Sequence, residues 1–310
     1  MLNKPLALVK RRTEPYYCSG APAPWVRPGR TDWPAPTPTG TEGPEKGIRK
    51  QAEIRYDLLD YRRDGPVATV TLARPEGGNR IDSPLAAELR EACRAIGEDE
   101  GIRSVIITGA GSVFSVGREP APGDLFPEAR QDWLSLMRVA SALAGLPIPV
   151  IAAVNGDALD HGLELALAAD LRVASADASF GFTDLAQGAF PWDGGTQRLP
   201  RLVGPAWARD LVLTGRIIDA AQALALGLVS EVVAGEELLT RTRLLAETVA
   251  AGAPIAARYA KEAIGAGMDL TLTQGLRLEA DLNILLQSTA DRAEGIESFL
   301  QRREPEFRGG

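Results

Sequence analysis

The segment IAAVNGDALDHGLELALAADLRVAS, residues 151–175, decides the fold of this chain and contains its single histidine, His161. Its first residues form an apolar run that ends at Asn155-Gly156, as a buried strand does at a turn. A helix-like run begins near His161-Gly162, and Glu164 falls in the first turn of that predicted helix. A buried strand that leads into a helix is typical of an α/β protein.

Regular patterns on both sides of this segment indicate the same fold class. IRYDLLDYRRDG and VATVTLAR predict two strands around Asp64-Gly65, and SPLAAELREACRAIGEDE predicts a helix with Ser83 as its N-cap and Pro84 at its first position. SVIITGAG predicts a buried strand, and ARQDWLSLMRVASALAGL predicts one amphipathic helix over residues 129–146. Strand, strand and helix recur in that order, which indicates an α/β fold.

The chain divides into three predicted regions. Residues 1–52 are crowded with Pro and Gly and predict an irregular N-terminal arm, residues 53–250 predict the α/β core, and residues 251–310 have only helical patterns. The arm also carries four aromatic residues, Tyr16, Tyr17, Trp25 and Trp33. They leave two interpretations open: a disordered tail, or an arm that lies on the body or on a neighbouring subunit.

Charge and cysteine content restrict the function and the compartment. A formal net charge of −7 argues against a protein that binds the phosphate backbone of a nucleic acid. Two cysteines are too few for a disulfide framework, and no apolar run approaches the length of a membrane span. The first residues do not have the pattern of a signal peptide. We therefore expect a cytoplasmic protein with no membrane partner.

The start of the predicted helix suggests a chemistry. The first N–H groups of a helix have no partner within it, and they are good donors to an oxygen that becomes negative during a reaction. Glu164, in the same first turn, is placed to move a proton on a carbon next to a polarised carbonyl. Without further support, a solvated glutamate that complements the helix dipole explains the same pattern.

Two further segments accompany this one. SVFSVGREP, residues 112–120, predicts a strand that ends on Gly117, and residues 178–204 predict a Gly-rich loop with carboxylates at Asp184 and Asp193. These segments, together with IAAVNGDALDHGLELALAADLRVAS, LTGRIIDAAQALALGLVSEVV and EGIESFLQRREPEF, strongly resemble the enoyl-CoA hydratase/isomerase (crotonase) superfamily from about residue 54 to residue 308. The resemblance implies a spiral of ββα units with a C-terminal helical region that builds trimers, often paired as hexamers.

The resemblance also implies a site that acts on a coenzyme A thioester without a metal or a redox cofactor. Its two oxyanion-hole N–H groups fall on Val116 and His161, and its two catalytic acids fall on Glu164 and Asp184, twenty residues apart. The positions implied to contact substrate are Gly117, Arg118, Glu119, Gly162, Trp192 and Asp193.

Several positions depart from the family pattern. His161 stands where the family has the middle Gly of a triplet, and Asp184 is one methylene shorter than the usual Glu. We expect the imidazole of His161 to take part in the site, although it can also point to solvent or cap the helix. Trp192 is expected to narrow the acyl pocket or to stack on a flat acyl group. Asp193 is a candidate nucleophile or, alternatively, a loop cap.

Three functions remain open from the sequence. The first is an acyl-CoA enzyme, a lyase or isomerase, in which Glu164 and Asp184 share the proton transfers on an enoyl thioester. The alternative is hydrolysis of a carbon–carbon bond in a β-dicarbonyl compound that is not linked to coenzyme A, as in relatives that resemble oxocamphor hydrolase and use a His and an Asp. A third possibility, a binding protein without activity, is disfavoured because both carboxylates are present.

Overall fold

A computed structural model describes residues 55–120 and 127–310, so the predicted arm, residues 1–52, lies outside the described residues. The strands are β1 Leu59–Asp64, β2 Val67–Leu72, β3 Ser104–Gly109, β4 Val113–Ser115, β5 Val150–Val154, β6 Asp157–Leu159, β7 Leu171–Ser175, β8 Ser179–Gly181, β9 Ile217–Asp219 and β10 Glu231–Val233. The helices are α1 Ser83–Glu98, α2 Pro127–Met137, α3 Val139–Ala144, α4 His161–Ala168, α5 Gly195–Thr214, α6 Ala220–Ala225, α7 Leu238–Ala250, α8 Pro254–Gly267, α9 Leu272–Leu286 and α10 Ala290–Gln301. Short 3-10 helices span Pro75–Gly77, Asp184–Gln187 and Gly235–Glu237.

The ten strands are divided between two sheets. One sheet has the order β1-β2-β3-β5-β7-β10, and the other has the order β4-β6-β8-β9. Each of β3, β5 and β7 is followed at once by a short strand of the second sheet. After β4 and after β6 the next strand belongs to the first sheet again, whereas after β8 the chain adds β9 to the second sheet before it returns in β10. The pairings from β2 to β10 in the first sheet are parallel. The predicted α/β fold of repeated ββα units is therefore confirmed.

The strand predictions follow from side-chain character. The hairpin at Asp64-Gly65 pairs Asp64 with Val67, and Gly65 takes the positive φ of 59° that its tight turn requires. Strands β3 and β5 are buried along their whole length, as expected of parallel strands covered on both faces.

Helix α1 begins one residue earlier than the sequence suggested. The N-cap is Asp82 rather than Ser83, because the Asp82 carboxylate accepts the N–H of Leu85 at 2.9 Å. Asp82 also pairs with Arg74, which precedes the 3-10 helix at Pro75–Gly77. Asp and Ser are comparable N-caps, so only this tertiary contact separates them.

Two other predictions were wrong in part. The single helix predicted over residues 129–146 is divided at Arg138 into α2 and α3. The predicted loop, residues 178–204, contains β8, a 3-10 helix and the first half of α5. Helix α5 begins after Gly194, which has a φ of 113°, and is itself interrupted at Gly204, with a φ of 79°, directly before Pro205. The Gly and Pro residues that suggested a loop therefore mark the ends and the kink of a helix.

The C-terminal region consists of helices, as predicted. Helices α8 to α10 expose many large apolar side chains, among them Ile264, Leu272, Leu276, Ile284, Phe299 and Leu300. Such a density of exposed apolar side chains is typical of a surface that another chain covers. Among the helices of the described residues, none has the length and apolar character needed to cross a membrane.

Candidate active site

The site lies where the ends of β4 and β6 meet the start of α4. Strands β4 and β6 are parallel, and Ser115 pairs with Ala158. Helix α4 then packs so closely on the end of β4 that a Cβ on Gly162 would lie 2.1 Å from the Ser115 carbonyl oxygen. Only glycine fits there, so this position fixes the approach of the helix to the strand.

The backbone N–H groups that follow β4 are not bonded in the way expected of the first oxyanion donor. Val116 N–H donates to the Gly78 carbonyl at 3.0 Å, so it is not available to a substrate and the assignment of the first oxyanion donor to Val116 needs correction. The next residues pair with Ile81: Ile81 N–H donates to Gly117 O, and Glu119 N–H donates to Ile81 O. A parallel bridge of this kind turns the N–H of Arg118 away from Ile81. Within residues 55–120 and 127–310, that N–H has no acceptor.

The sequence analysis also named the N–H of His161 as a candidate donor. His161 is the first residue of α4, and its N–H is likewise without an acceptor in the described part of the chain. Asp160 before it has φ 50° and ψ −119°, a conformation that favours glycine. The strained residue turns the chain sharply from β6 into the helix. A Cβ on Gly117 would lie 3.4 Å from that of Asp160, so the two donor segments are in contact.

The side chain of Glu164 is buried and does not face solvent. It is only 2% exposed. Oε1 accepts the N–H of Asp193 at 2.7 Å and that of Gly195 at 2.9 Å. Oε2 lies 2.8 Å from Nδ1 of His161. The first predicted acid is thus a buried carboxylate held by three groups.

The His161 imidazole points inward rather than to solvent. Its Nε2 lies 2.9 Å from the carbonyl oxygen of Met137, and since a carbonyl only accepts, Nε2 carries a hydrogen. The contact between Nδ1 and Glu164 then requires one proton between them, either as imidazolium and carboxylate or as imidazole and carboxylic acid. In both forms the pair is neutral overall. The ring is further fixed by Trp192, which stacks on it at a centroid distance of 5.5 Å.

Asp184, the second predicted acid, is in a different situation. In the described residues its carboxylate accepts no hydrogen bond, and its nearest charged partner is Arg118, with 3.9 Å between Nη2 and Oδ2. Burial raises the pKa of Asp184 above its ordinary range; the nearby Asp160 adds to the rise and Arg118 opposes it. A carboxylate that has no hydrogen bond and a raised pKa is suited to accept and return a proton.

Asp160 positions Asp184, a role that the sequence reasoning missed. The Asp160 carboxylate accepts the N–H of Thr183 at 2.5 Å, the hydroxyl of Thr183 at 2.7 Å and the N–H of Asp184 at 3.0 Å. One residue therefore shapes the start of α4 and anchors the segment that carries Asp184. Its signal in the sequence was an aspartate in place of the first glycine of the triplet.

The side chain of Arg118 lies in an aromatic cluster. Its guanidinium carbon is 5.6 Å from the ring centroid of Trp192 and 5.9 Å from that of Trp133. Trp192 therefore lies beside Arg118 and His161, and Trp133, on α2, is an aromatic neighbour that was not predicted. Glu119 is exposed and bonds to Ile81 through its backbone alone.

Asp193 serves as a helix cap. It is fully buried and accepts the N–H of Ala140 at 2.7 Å, the N–H of Ser141 at 3.2 Å and the hydroxyl of Ser141 at 2.5 Å. These donors belong to the first turn of α3, so Asp193 stabilises the start of that helix. This explains the break at Arg138. With both oxygens occupied and no exposure, Asp193 is not placed as a nucleophile.

Within the described residues, no group of three or more His, Cys, Asp or Glu side chains is arranged to hold a metal ion. For the alternative reaction, carbon–carbon bond hydrolysis, the sequence analysis expected a His side chain that takes part in the chemistry. Both ring nitrogens of His161 are bonded to the protein, so the geometry does not favour this alternative.

Comparisons with known proteins agree with the fold and the motifs. The family model described as enoyl-CoA hydratase/isomerase matches residues 62–310. A probable enoyl-CoA hydratase of Mycobacterium tuberculosis is 37% identical over 254 residues, covering 82% of this chain and 99% of that protein. A probable mitochondrial enoyl-CoA hydratase of Dictyostelium discoideum is 36% identical over 271 residues, covering 87% and 96% respectively.

Solved structures give the same result. The crystal structure of an enoyl-CoA hydratase from Bacillus anthracis superposes with a TM-score of 0.78 at 37% identity and covers 82% of this chain and 100% of that chain. The names of these relatives do not favour the carbon–carbon hydrolase. The fold, the ordered motifs and these matches together place the chain in the enoyl-CoA hydratase/isomerase (crotonase) family.

Proposed function

We propose that this protein is an acyl-CoA enzyme that stabilises the enolate of a coenzyme A thioester. The N–H groups of Arg118 and His161 donate to the thioester oxygen, and Asp184 transfers the proton on the adjacent carbon. The observation that carries the proposal is the pair of unpaired N–H groups on two segments in contact, next to a carboxylate that accepts no hydrogen bond in the described residues.

Each part has a separate task. The two N–H groups hold the oxygen as it becomes negative, and they belong to rigid backbone, so little reorganisation is needed. Asp184 has a pKa raised by burial, which makes it a stronger base than a solvated aspartate once it is ionised. The reaction as proposed uses no metal and no redox cofactor.

Binding and proton exchange test this function. Calorimetry with free coenzyme A and a panel of acyl-CoA thioesters measures binding, and NMR in D₂O measures exchange of the protons next to the thioester. We expect both with wild type, and with Asp184→Asn we expect binding while exchange falls by about 10²–10⁴-fold. If no thioester of the panel binds and none shows proton exchange, the proposal is refuted.

We also propose a homotrimer or homohexamer built through α8 to α10, supported by the exposed apolar side chains of those helices. A cytoplasmic location remains part of the proposal. The relative from Dictyostelium discoideum is named as mitochondrial, so cell fractionation is the deciding measurement.

A further inference from the structure

His161 distinguishes this site because its imidazole bonds to the carboxylate of Glu164. In the described residues, the carboxylate of Glu164 has three hydrogen-bond partners: two backbone N–H groups on Oε1 and the imidazole on Oε2. The imidazole cannot swing aside freely, since its second nitrogen bonds to the Met137 carbonyl and Trp192 stacks on its face. With its side chain 2% exposed, Glu164 offers no surface for a water molecule.

Addition of water to an enoyl thioester places demands that this arrangement does not meet. The water must be held against the β-carbon and must lose a proton while its oxygen forms the new C–O bond. Asp184 supplies one acceptor for that water, and a second acceptor is needed to orient it. The carboxylate of Glu164 is the other acid of the site, and His161 occupies its Oε2.

We propose that His161 acts as a specificity-determining residue that excludes water from Glu164, so that the enzyme relocates a proton on its acyl thioester and does not hydrate it. This inference rests on the proposed function and narrows it to an isomerisation. Glu164 is then a positioning residue: through its bonds to Asp193 and Gly195 it fixes the start of α5, and through His161 it fixes the start of α4.

The reaction balances without any co-reactant. The Asp184 carboxylate removes a proton from the carbon next to the thioester carbonyl of a 3-enoyl-CoA, and the C–H electron pair moves to the thioester oxygen, which the N–H groups of Arg118 and His161 stabilise. The electron pair then returns through the double bond, and Asp184 delivers the same proton to the γ-carbon. The product is the conjugated 2-enoyl-CoA, and Asp184 is again a carboxylate.

The test compares two reactions in one preparation. Absorbance of the conjugated enoyl thioester rises when a 3-enoyl-CoA is isomerised and falls when a 2-enoyl-CoA is hydrated, and the panel runs from four-carbon to long acyl chains. We expect wild type to isomerise at least about 100-fold faster than it hydrates, corresponding to the contribution of one acid/base group. Hydration at a rate similar to isomerisation would overturn the inference and leave the proposed function intact. Absence of both reactions and of proton exchange would refute the proposed function, and the inference with it.

Two variants identify the responsible residue. His161→Gly retains the backbone N–H and frees Oε2 of Glu164, so we expect hydration to rise by at least about tenfold while isomerisation continues. A folded His161→Gly protein that isomerises and gains no hydration would remove His161 from this role.

Glu164→Gln provides the second variant, and it does not depend on removal of the histidine. Its amide oxygen can accept the same two N–H groups and its NH₂ can donate to Nδ1, so the geometry is preserved. We expect isomerisation within about threefold of wild type, whereas a group that transfers the proton would lose about 10²–10⁴-fold. A loss of that size in Glu164→Gln, with binding retained, would overturn the inference.

Discussion

Removal of the His161 ring should destabilise the protein far more than neutralisation of Glu164. His161→Ala leaves Oε2 of Glu164 and the Met137 carbonyl buried without their partner, and it leaves a void beside Trp192. Loss of one partner of a buried pair costs about 3–5 kcal/mol. A water that enters the void can bond to both oxygens and recover part of this, so we expect about 3 kcal/mol.

Glu164→Gln should behave differently, because each bond has a replacement. The pair is neutral overall in the native protein, and the Gln–His pair is neutral too, with a hydrogen on the amide in place of the shared proton. We expect a loss within about 1 kcal/mol, the net value of one hydrogen bond. In the double variant, the group that His161→Ala leaves unpaired is an amide rather than a carboxyl, so the cost of removing the ring should be smaller by at least about 1 kcal/mol.

Urea unfolding at one fixed protein concentration measures these values, since an oligomer's stability depends on concentration. A loss of about 3 kcal/mol corresponds to a fall in Tm of about 6–12 °C for a domain of this size. The contrary results are a His161→Ala variant as stable as wild type, or a Glu164→Gln variant that loses as much stability as His161→Ala. Either result would mean that the two side chains are not paired in the folded protein.

Three further predictions concern Arg118, Gly162 and the exposed face of α8 to α10. Arg118→Leu keeps the backbone N–H but removes the cation that lowers the pKa of Asp184, so the pH at which the rate rises as this base ionises should move upward; an unchanged pH–rate profile would separate the two residues. Gly162→Ala should lose about 3 kcal/mol in urea unfolding through its clash with the Ser115 carbonyl at the end of β4, whereas the control Gly77→Ala, at an exposed position outside α8 to α10 with nothing near its Cβ, should gain about 0.5–1 kcal/mol. Light scattering should give a trimer or hexamer at micromolar concentration. A monomer would contradict the proposal that another subunit covers the exposed apolar side chains of α8 to α10.

The fold could be predicted from the sequence because its strands and most of its helices depend on local patterns. The hairpin at Asp64-Gly65 and the buried runs of β3 and β5 needed only turn chemistry and apolar periodicity. The break between α2 and α3 could not be predicted, because no Gly or Pro marks it. Its cause is the carboxylate of Asp193, more than fifty positions away along the chain, which caps α3.

The site was predictable in part for the same reason. His161 and Glu164 are three residues apart in one helical turn, a spacing that brings side chains together, so their proximity was readable from the sequence. Which N–H of the β4 segment is available was not readable, since it depends on the pairing of that segment with Gly78 and Ile81. Asp160 illustrates a third case: the residue was visible as a departure, but its bonds to Thr183 and Asp184 exist only in the folded chain.

His161, Trp192 and Asp193, three residues that depart from the family pattern, are connected to one another through hydrogen bonds and ring stacking. Asp193 caps α3 and so separates it from α2, and the separation leaves the Met137 carbonyl at the end of α2 able to accept from His161. His161 in turn bonds to Glu164, and Trp192 stacks on the His161 ring. Glu164 accepts the N–H of Asp193, so the chain of contacts leads back to Asp193. These contacts fix the orientation of the His161 ring, because both of its nitrogens are bonded and one face is covered by Trp192. His161→Gly would therefore remove the bonds of the ring to Glu164 and to the Met137 carbonyl and would open the Glu164 carboxylate to water, while the bonds of Glu164 to Asp193 and Gly195 do not involve the ring.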